Sequence, residues 1–490
     1  MIRGTAVRLA MQSIKLLVSG LVGAFIILLV VFVLFLESRP DLHVWHLAEL
    51  DEEFTVSSPV ESFEEYLALE DRLFRQLHER VYQQIDASEK YPVNRYYGGS
   101  ESDPGRWPVN LNRSFELAAD SPRAGVLLLH GMSDSPYSLH NLGTSLNESG
   151  AWVIGLRLPG HGTAPSGLVH ARWQDMAAAV KIAMGHLRGR VGDAPIYIVG
   201  YSNGGALAVH YSQVAMDDDS LPRANGLVLV SPAIGVSSVA VLAVWQARLG
   251  DLLGLDKLSW NSLLPEYDPF KYGSFAVNAG DQVYRLTTEI QSLFDAHTVE
   301  ELRRFPPVLA FQSVVDATVS TPALVKGLFS RLPENGHELV LFGINRNVHV
   351  ESLMVKDPDT DVKAVLENED STFAVRLLTN ESEESAGIAI KYRRAGESIV
   401  ETFTTPMRWP EDTYSLSHIA LPMPVTDPLY GHGSSERSPG VSLGKLALYG
   451  ERGLLRIPAS DQLRQRWNPF YPYLEKRVHE FMSLGPEAVR

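Results

Sequence analysis

Residues 195 to 211 read PIYIVGYSNGGALAVHY. Ile196 to Val199 is a short apolar run rich in β-branched side chains, which suits a strand covered on both faces. From Gly204 to Tyr211, Ala, Leu and Val recur at the spacing of a packed helix. Between them, Gly200-Tyr201-Ser202-Asn203-Gly204 forms a G-x-S-x-G. A serine on so sharp a strand-to-helix turn is pushed up and out of the fold. Small residues are needed two before and two after it, because a Cβ would collide there. The helix begins beside the serine, so its first N–H groups and positive dipole end face any anion formed nearby. With 38 glycines in 490 residues, the motif arises by chance about 0.2 times per chain. Its weight comes from the strand before it and the helix after it.

The chain on either side continues the alternation. Ala124 to Leu129 reads as a buried strand running into His130-Gly131-Met132-Ser133-Asp134-Ser135-Pro136, and Ser138 to Leu146 as a helix. Val153 to Leu158 is a strand leading to Pro159-Gly160-His161-Gly162, and Trp173 to Leu187 an amphipathic helix. Leu227 to Val230 follows Ser202 as the next strand. Such a βαβ series implies an α/β fold with a mainly parallel sheet and right-handed crossovers. Ligands bind such sheets at the carboxyl ends of the strands, where Met132, Gly160 and Ser202 fall. The stretch from about 232 to 305 breaks the rhythm. Its Trp245, Leu252, Leu253, Leu255, Trp260, Leu263 and Leu264 carry no strand pattern, and the expectation is a helical cap, an apolar roof for an acyl or alkyl group. The alternation resumes with VLAFQS (308–313), the loop Val315-Asp316-Ala317, a helix from Pro322 to Leu332 and a strand from Glu338 to Phe342. An excursion over 344–409 follows, with Phe373 to Leu378 and Ala389 to Tyr392 expected to extend a sheet edge. Within it, Asp357-Pro358-Asp359-Thr360-Asp361 lacks the glycine and distal Glu of a calcium loop and reads as a solvated turn. Gln462 to Met482 reads as an amphipathic helix interrupted at Pro469 and Pro472.

Leu16 to Leu36, LLVSGLVGAFIILLVVFVLFL, is 21 residues without a charge, enough to span a bilayer. Arg3, Arg8 and Lys15 precede it, while Glu37, Arg39 and Asp41 follow. The positive-inside bias puts the N-terminus in the cytoplasm and the rest outside it, periplasmic in a diderm bacterium. The run is longer than a typical signal-peptide core and no A-x-A-like site follows, so an uncleaved anchor is expected. Ser58, Pro59 and Glu61 suggest a helix start with a capping box, and Phe63, Leu67, Phe74, Leu77, Val81 and Ile85 would line one face to Ile85. Tyr91 to Pro108 reads as a linker or surface loop. The expected organisation is a stub and anchor over 1–37, a membrane-proximal helix and linker over 38–114, and the α/β domain over 115–490. A net charge of −15 argues against nucleic-acid binding, since a polyanion needs a basic face. Without a cysteine the chain has no disulfide, no thiolate metal site and no Cys nucleophile. No cofactor or metal is called for, and the oligomeric state is not readable.

A serine hydroxyl becomes nucleophilic when a base takes its proton, and that base needs a carboxylate to orient it. Asp316, closely following the 308–313 strand, is the candidate acid. Chain order then asks for a histidine after it. His337 begins a strand at the wrong end of the sheet, His479 lies on the last helix and His432 in a glycine-rich loop. On spacing, His349 and His418 are rivals. The oxyanion donors would be the N–H of Asn203, just after the serine, and that of Met132.

Together, the His130-Gly131 pair, the R-L-P-G-H-G of 157–162 and the G-Y-S-N-G-G of 200–205 resemble the α/β-hydrolase superfamily. The branch they look like holds the monoglyceride lipases, lysophospholipases and serine-aminopeptidase-like enzymes. The resemblance covers roughly 115–343 and 414–433. It implies Ser202 as nucleophile, Asp316 as acid and His418 as base, the S-L-S-H-I-A-L-P-M-P stretch being similar to a histidine loop of bacterial members with such an excursion. Asn203 stands where the branch more often has Met or Gln, and 102 residues separate Asp316 from His418. The expected function is a membrane-anchored serine hydrolase cleaving small-molecule or lipid carboxylic esters through an acyl-enzyme. An amidase or peptidase on the same residues is the alternative, and a non-catalytic binding domain of the same fold a third.

Overall fold

A computed structural model of the chain describes residues 2–235, 255–348, 353–354, 357–433, 438–444 and 454–485. Its strands are β1 (Phe115–Leu117), β2 (Ala124–Leu129), β3 (Ala151–Leu156), β4 (Ile196–Tyr201), β5 (Gly226–Val230), β6 (Trp260–Ser262), β7 (Phe275–Ala276), β8 (Val308–Ser313), β9 (Glu338–Phe342), β10 (Ala374–Asn380), β11 (Gly387–Arg393) and β12 (Val400–Arg408). Ten of them form one sheet in the order β1-β3-β2-β4-β5-β8-β9-β10-β11-β12, while β6 and β7 pair separately. From β3 through β10 the neighbours run parallel; β1, β11 and β12 add antiparallel edges. β2, β5 and β8 are buried at every residue, as their continuous apolar sequences require.

Helices cover both faces. Trp173–Val191, Asn203–Asp217 and Val277–Ala296 pack on one side, and Tyr137–Glu148 and Tyr471–Phe481 on the other. The order turns at β2: β3 lies on one flank of it and β4 on the other. The crevice of such a sheet opens at that switch point, so the loops after β2 and β4 meet there.

Several elements depart from the sequence expectations. The helix expected from Ser58 starts at Phe63 instead and runs to Arg80. Ser62 caps it, with Glu65 completing the capping box, because Ser62 Oγ reaches the N3 amide there. Its buried face is Phe63, Tyr66, Leu69, Glu70, Leu73 and Leu77. Residues 91–108 are no free linker: Asn94, Arg95 and Tyr96 are buried, and Arg95 N–H donates to Glu266 C=O at 2.9 Å. The apolar face of the Phe63–Arg80 helix packs on the α/β domain, as an amphipathic helix of this kind is expected to: Phe63, Tyr66 and Leu69, with Phe54 ahead of the helix, share one core with β2, β3 and β4. The 232–305 stretch is not wholly helical; beside the Val277–Ala296 helix it holds the β6–β7 pair, and its 236–254 part, with Trp245, Leu252 and Leu253, lies outside the described residues. The excursion supplies three strands rather than two, β10 parallel to β9 and then an antiparallel hairpin. The acidic run, expected as a turn, begins a short helix, Asp359–Leu366. At the N-terminus, Ile2–Ser38 is one helix, of which Lys15–Ser38 is long and apolar enough to cross a membrane.

Candidate active site

Ser202 follows the last residue of β4 and precedes the Asn203–Asp217 helix. Its backbone sits at φ 53°, a left-handed conformation that a non-glycine residue keeps only when its surroundings enforce it. They do so here. Ser202 N–H donates to Val230 C=O at 3.0 Å, and Ser202 C=O accepts from Gly205 and Ala233 at 3.0 Å each. A Cβ on Gly204 would lie 2.0 Å from Leu129 O, and one on Gly200 2.5 Å from Gly204 O. The glycines let the helix press against the ends of β2 and β4 and hold the turn tight. The Ser202 hydroxyl is half-buried and takes no hydrogen-bond partner among the described residues.

Asp316 ends the turn after β8. Its Oδ1 accepts from Thr318 and Val319 N–H at 2.8 and 3.0 Å. Its Oδ2 accepts from His418 Nδ1 at 2.8 Å, and the carboxylate is fully screened from solvent. Burial pushes this carboxyl up, but the His418 bond and charge and the two amides outweigh it, so Asp316 lies below the usual carboxylate range. The bond to Asp316 occupies Nδ1 and leaves Nε2 of His418 available.

His418 reaches Asp316 because its loop is pinned to the ends of three strands. Ser313 Oγ, closing β8, donates to Leu416 C=O at 2.8 Å. Asn345, just past β9, donates its N–H to Tyr414 C=O at 2.8 Å and its side-chain amide to Thr413 C=O at 2.9 Å. Tyr201, beside Ser202, lies with its ring 5.2 Å from the His418 ring. His418 thus stands next to the elbow, although no direct hydrogen bond joins it to Ser202 among the described residues. Catalytic hydrogen bonds are often loose until substrate is bound. His349 lies outside the described residues.

The loop after β2 faces the same elbow. The point a Cβ on Gly131 would occupy is 3.1 Å from Ser202 Cβ and 3.1 Å from Asp134 Oδ2. No backbone partner takes the N–H of Met132 or of Asn203 among the described residues, which leaves both amides free. His130 holds this loop: its Nε2 accepts from Leu158 N–H at 3.0 Å, so its Nδ1 carries the proton and donates to Gly131 C=O at 2.8 Å. Burial, then the nearby His161, keep His130 well below the usual imidazole range, and burial brings His161 down to about 4. Both are neutral supports rather than bases. Sequence reasoning missed two features here. Asp134 pairs with Lys271 at 3.0 Å beside the elbow, and Arg157 is enclosed between Glu53 and Glu70. These partners lie far apart in the chain and leave no local signal. Among the described residues, no group of His, Asp and Glu could hold a metal ion.

A parallel sheet with a strained serine elbow at the switch point, and an acid and an imidazole on later loops, defines the α/β-hydrolase class. Residues 120–342 match the family model described as serine aminopeptidase, S33. A thermostable monoacylglycerol lipase of Bacillus sp. is 25% identical over 253 residues, 52% of this chain and 93% of that protein. Lipase LipV of Mycobacterium tuberculosis is 32% identical over 126 residues, 26% of this chain and 44% of its own length. Among solved structures, a monoacylglycerol lipase of Paleococcus ferrophilus is 19% identical, with a TM-score of 0.35 over 47% of this chain and 88% of that one. Over residues 120–342 the chain is thus similar to serine-aminopeptidase-like and monoacylglycerol-lipase α/β hydrolases. The family match ends at 342, before His418.

Proposed function

We propose that the chain is a serine hydrolase of carboxylic esters, lipase- or esterase-like, that works through an acyl-enzyme. Ser202 attacks the ester carbonyl, His418 Nε2 takes the hydroxyl proton and returns it to the leaving alcohol, and Asp316 holds the imidazole. The Met132 and Asn203 N–H groups receive the oxyanion. Water then releases the acid by the same route. The observation that carries this reading is the 2.8 Å Asp316–His418 bond delivered beside the strained elbow at Ser202. The lipase names of the relatives support ester cleavage. The apolar helix 16–36 would hold the enzyme to a membrane with residues after Glu37 on the extracytoplasmic side, within reach of lipid esters.

A fluorophosphonate probe is expected to label the wild-type chain and not Ser202→Ala. Equal labelling of both would remove Ser202 from this role. The aminopeptidase description of the family model favours a second reading, amide cleavage by the same residues. In that case p-nitroanilides are turned over comparably to p-nitrophenyl esters.

A further inference from the structure

Arg157 opens the R-L-P-G-H-G loop, and its side chain is wholly enclosed. It donates to Glu53 from Nη2 at 2.9 Å and from Nη1 at 3.1 Å, to Glu70 from Nε at 2.8 Å, and to His161 C=O from Nη1 at 3.0 Å. Glu53 and Glu70 both come from the segment between the apolar helix and the hydrolase fold, outside the family match. That segment grips the loop at further points. Glu53 Oε2 accepts from Gly160 N–H at 2.8 Å, Tyr66 Oη donates to Arg157 C=O at 2.7 Å, and Arg157 N–H donates to Ser114 Oγ at 2.9 Å. Ser114 Oγ in turn donates to Glu70 at 2.8 Å.

The gripped loop leads to the elbow. Leu158, next to Arg157, donates its N–H to His130 Nε2, and His130 Nδ1 donates to Gly131 C=O. Gly131 precedes Met132. A buried, fully bonded ion cluster has one low-energy geometry, so it fixes what is attached to it. The same segment is tied to the 255–276 stretch by Arg39 Nη2 to Trp260 C=O at 2.6 Å, Lys257 to Asp41 at 2.9 Å and a His46–Ser274 bond at 3.0 Å.

We infer that residues 39–80 form an arm that is part of the active site's scaffold, in which Glu53 and Glu70 act through Arg157, Leu158 and His130 as positioning residues for the oxyanion-side loop. The arm that leaves the apolar helix thereby sets the geometry of the reacting centre. This inference rests on the serine-hydrolase reading above.

The test compares full-length wild type, Glu53→Gln and Arg157→Lys, in detergent, at a temperature where circular dichroism shows each folded. Glu53 is the milder site, its side chain being 20% exposed. Arg72→Ala, which breaks an exposed ion pair with Glu52 on the same arm, is the control. With a p-nitrophenyl ester, kcat is expected to fall about tenfold or more in Glu53→Gln and Arg157→Lys while KM moves less than about twofold. Affinity for a trifluoromethyl ketone, which mimics the tetrahedral state, should fall in step with kcat/KM. Arg72→Ala should match wild type in all three. A lowered melting temperature with unchanged kcat and ketone affinity in both Glu53→Gln and Arg157→Lys overturns the inference alone. Absence of fluorophosphonate labelling in the wild type overturns the underlying reading, and the inference with it.

Discussion

Ser202 occupies a backbone conformation that its side chain disfavours, and Asp316 carries a charge where solvent cannot reach it. Each is held by named neighbours, so each gives a prediction. Ser202→Ala should lower ester turnover by about 10³-fold or more with little change in melting temperature, read from initial rates and a thermal melt. Asp316→Asn leaves the loop amides an acceptor but removes the charge that orients His418. It should lower kcat by about 10³- to 10⁴-fold. The same carboxyl makes a pH prediction. Its folded pKa is depressed, so the unfolded chain binds the proton more tightly. Its contribution to stability is present above the ordinary carboxylate range and is lost as pH falls through the folded value. Thermal melts on acidification below about pH 4 should therefore show a shallower loss in Asp316→Asn than in wild type.

The elbow and the helices around it distinguish glycines that must be glycine from those that need not be. Gly204→Ala would set a Cβ 2.0 Å from the Leu129 carbonyl oxygen, a backbone collision that no rotamer relieves. The expected result is a loss of about 3 kcal/mol or more in denaturant melts, or no folded protein. Gly185 lies mid-helix in Trp173–Val191, is exposed, and has nothing within 4 Å of its would-be Cβ. Gly185→Ala should stabilise by about 0.5–1 kcal/mol and leave kcat unchanged, because alanine has less backbone entropy to lose. At the start of the Phe63–Arg80 helix, Ser62→Ala removes the cap bond to Glu65 N–H and should cost about 1 kcal/mol.

Across the whole molecule, the apolar helix and the arm after it are expected to separate in truncation. Deleting residues 1–38 removes the candidate span and should yield a protein that stays folded and active without detergent. Deleting 1–85 strips Phe54, Phe63, Tyr66 and Leu69 from the core and removes Glu53 and Glu70, the carboxylates that pair with Arg157. The apolar surface this uncovers on the sheet-side helices faces water, so that fragment should aggregate. Size-exclusion chromatography and ester turnover of the two fragments check this.

The serine elbow, the alternation of strands and helices, and the apolar N-terminal run were legible in the sequence because each rests on neighbours within a few residues: glycine at fixed offsets, β-branched runs, helical spacing. Local patterns specify local structure, and right-handed crossovers limit how the pieces connect. That the excursion extends a sheet edge was legible in its strand patterns; which edge it joins and where the chain returns were not. Its strands join the sheet beside β9, so the chain returns at Tyr414 to be pinned by Asn345 and Ser313, with His418 against Asp316. Spacing alone could not choose between His349 and His418, because the length of a detour says nothing about where it ends. The enclosure of Arg157 by Glu53 and Glu70 was hidden for the same reason. A charge carries no local sign of its distant partner, and only the packed chain decides which charges share a space that water cannot enter.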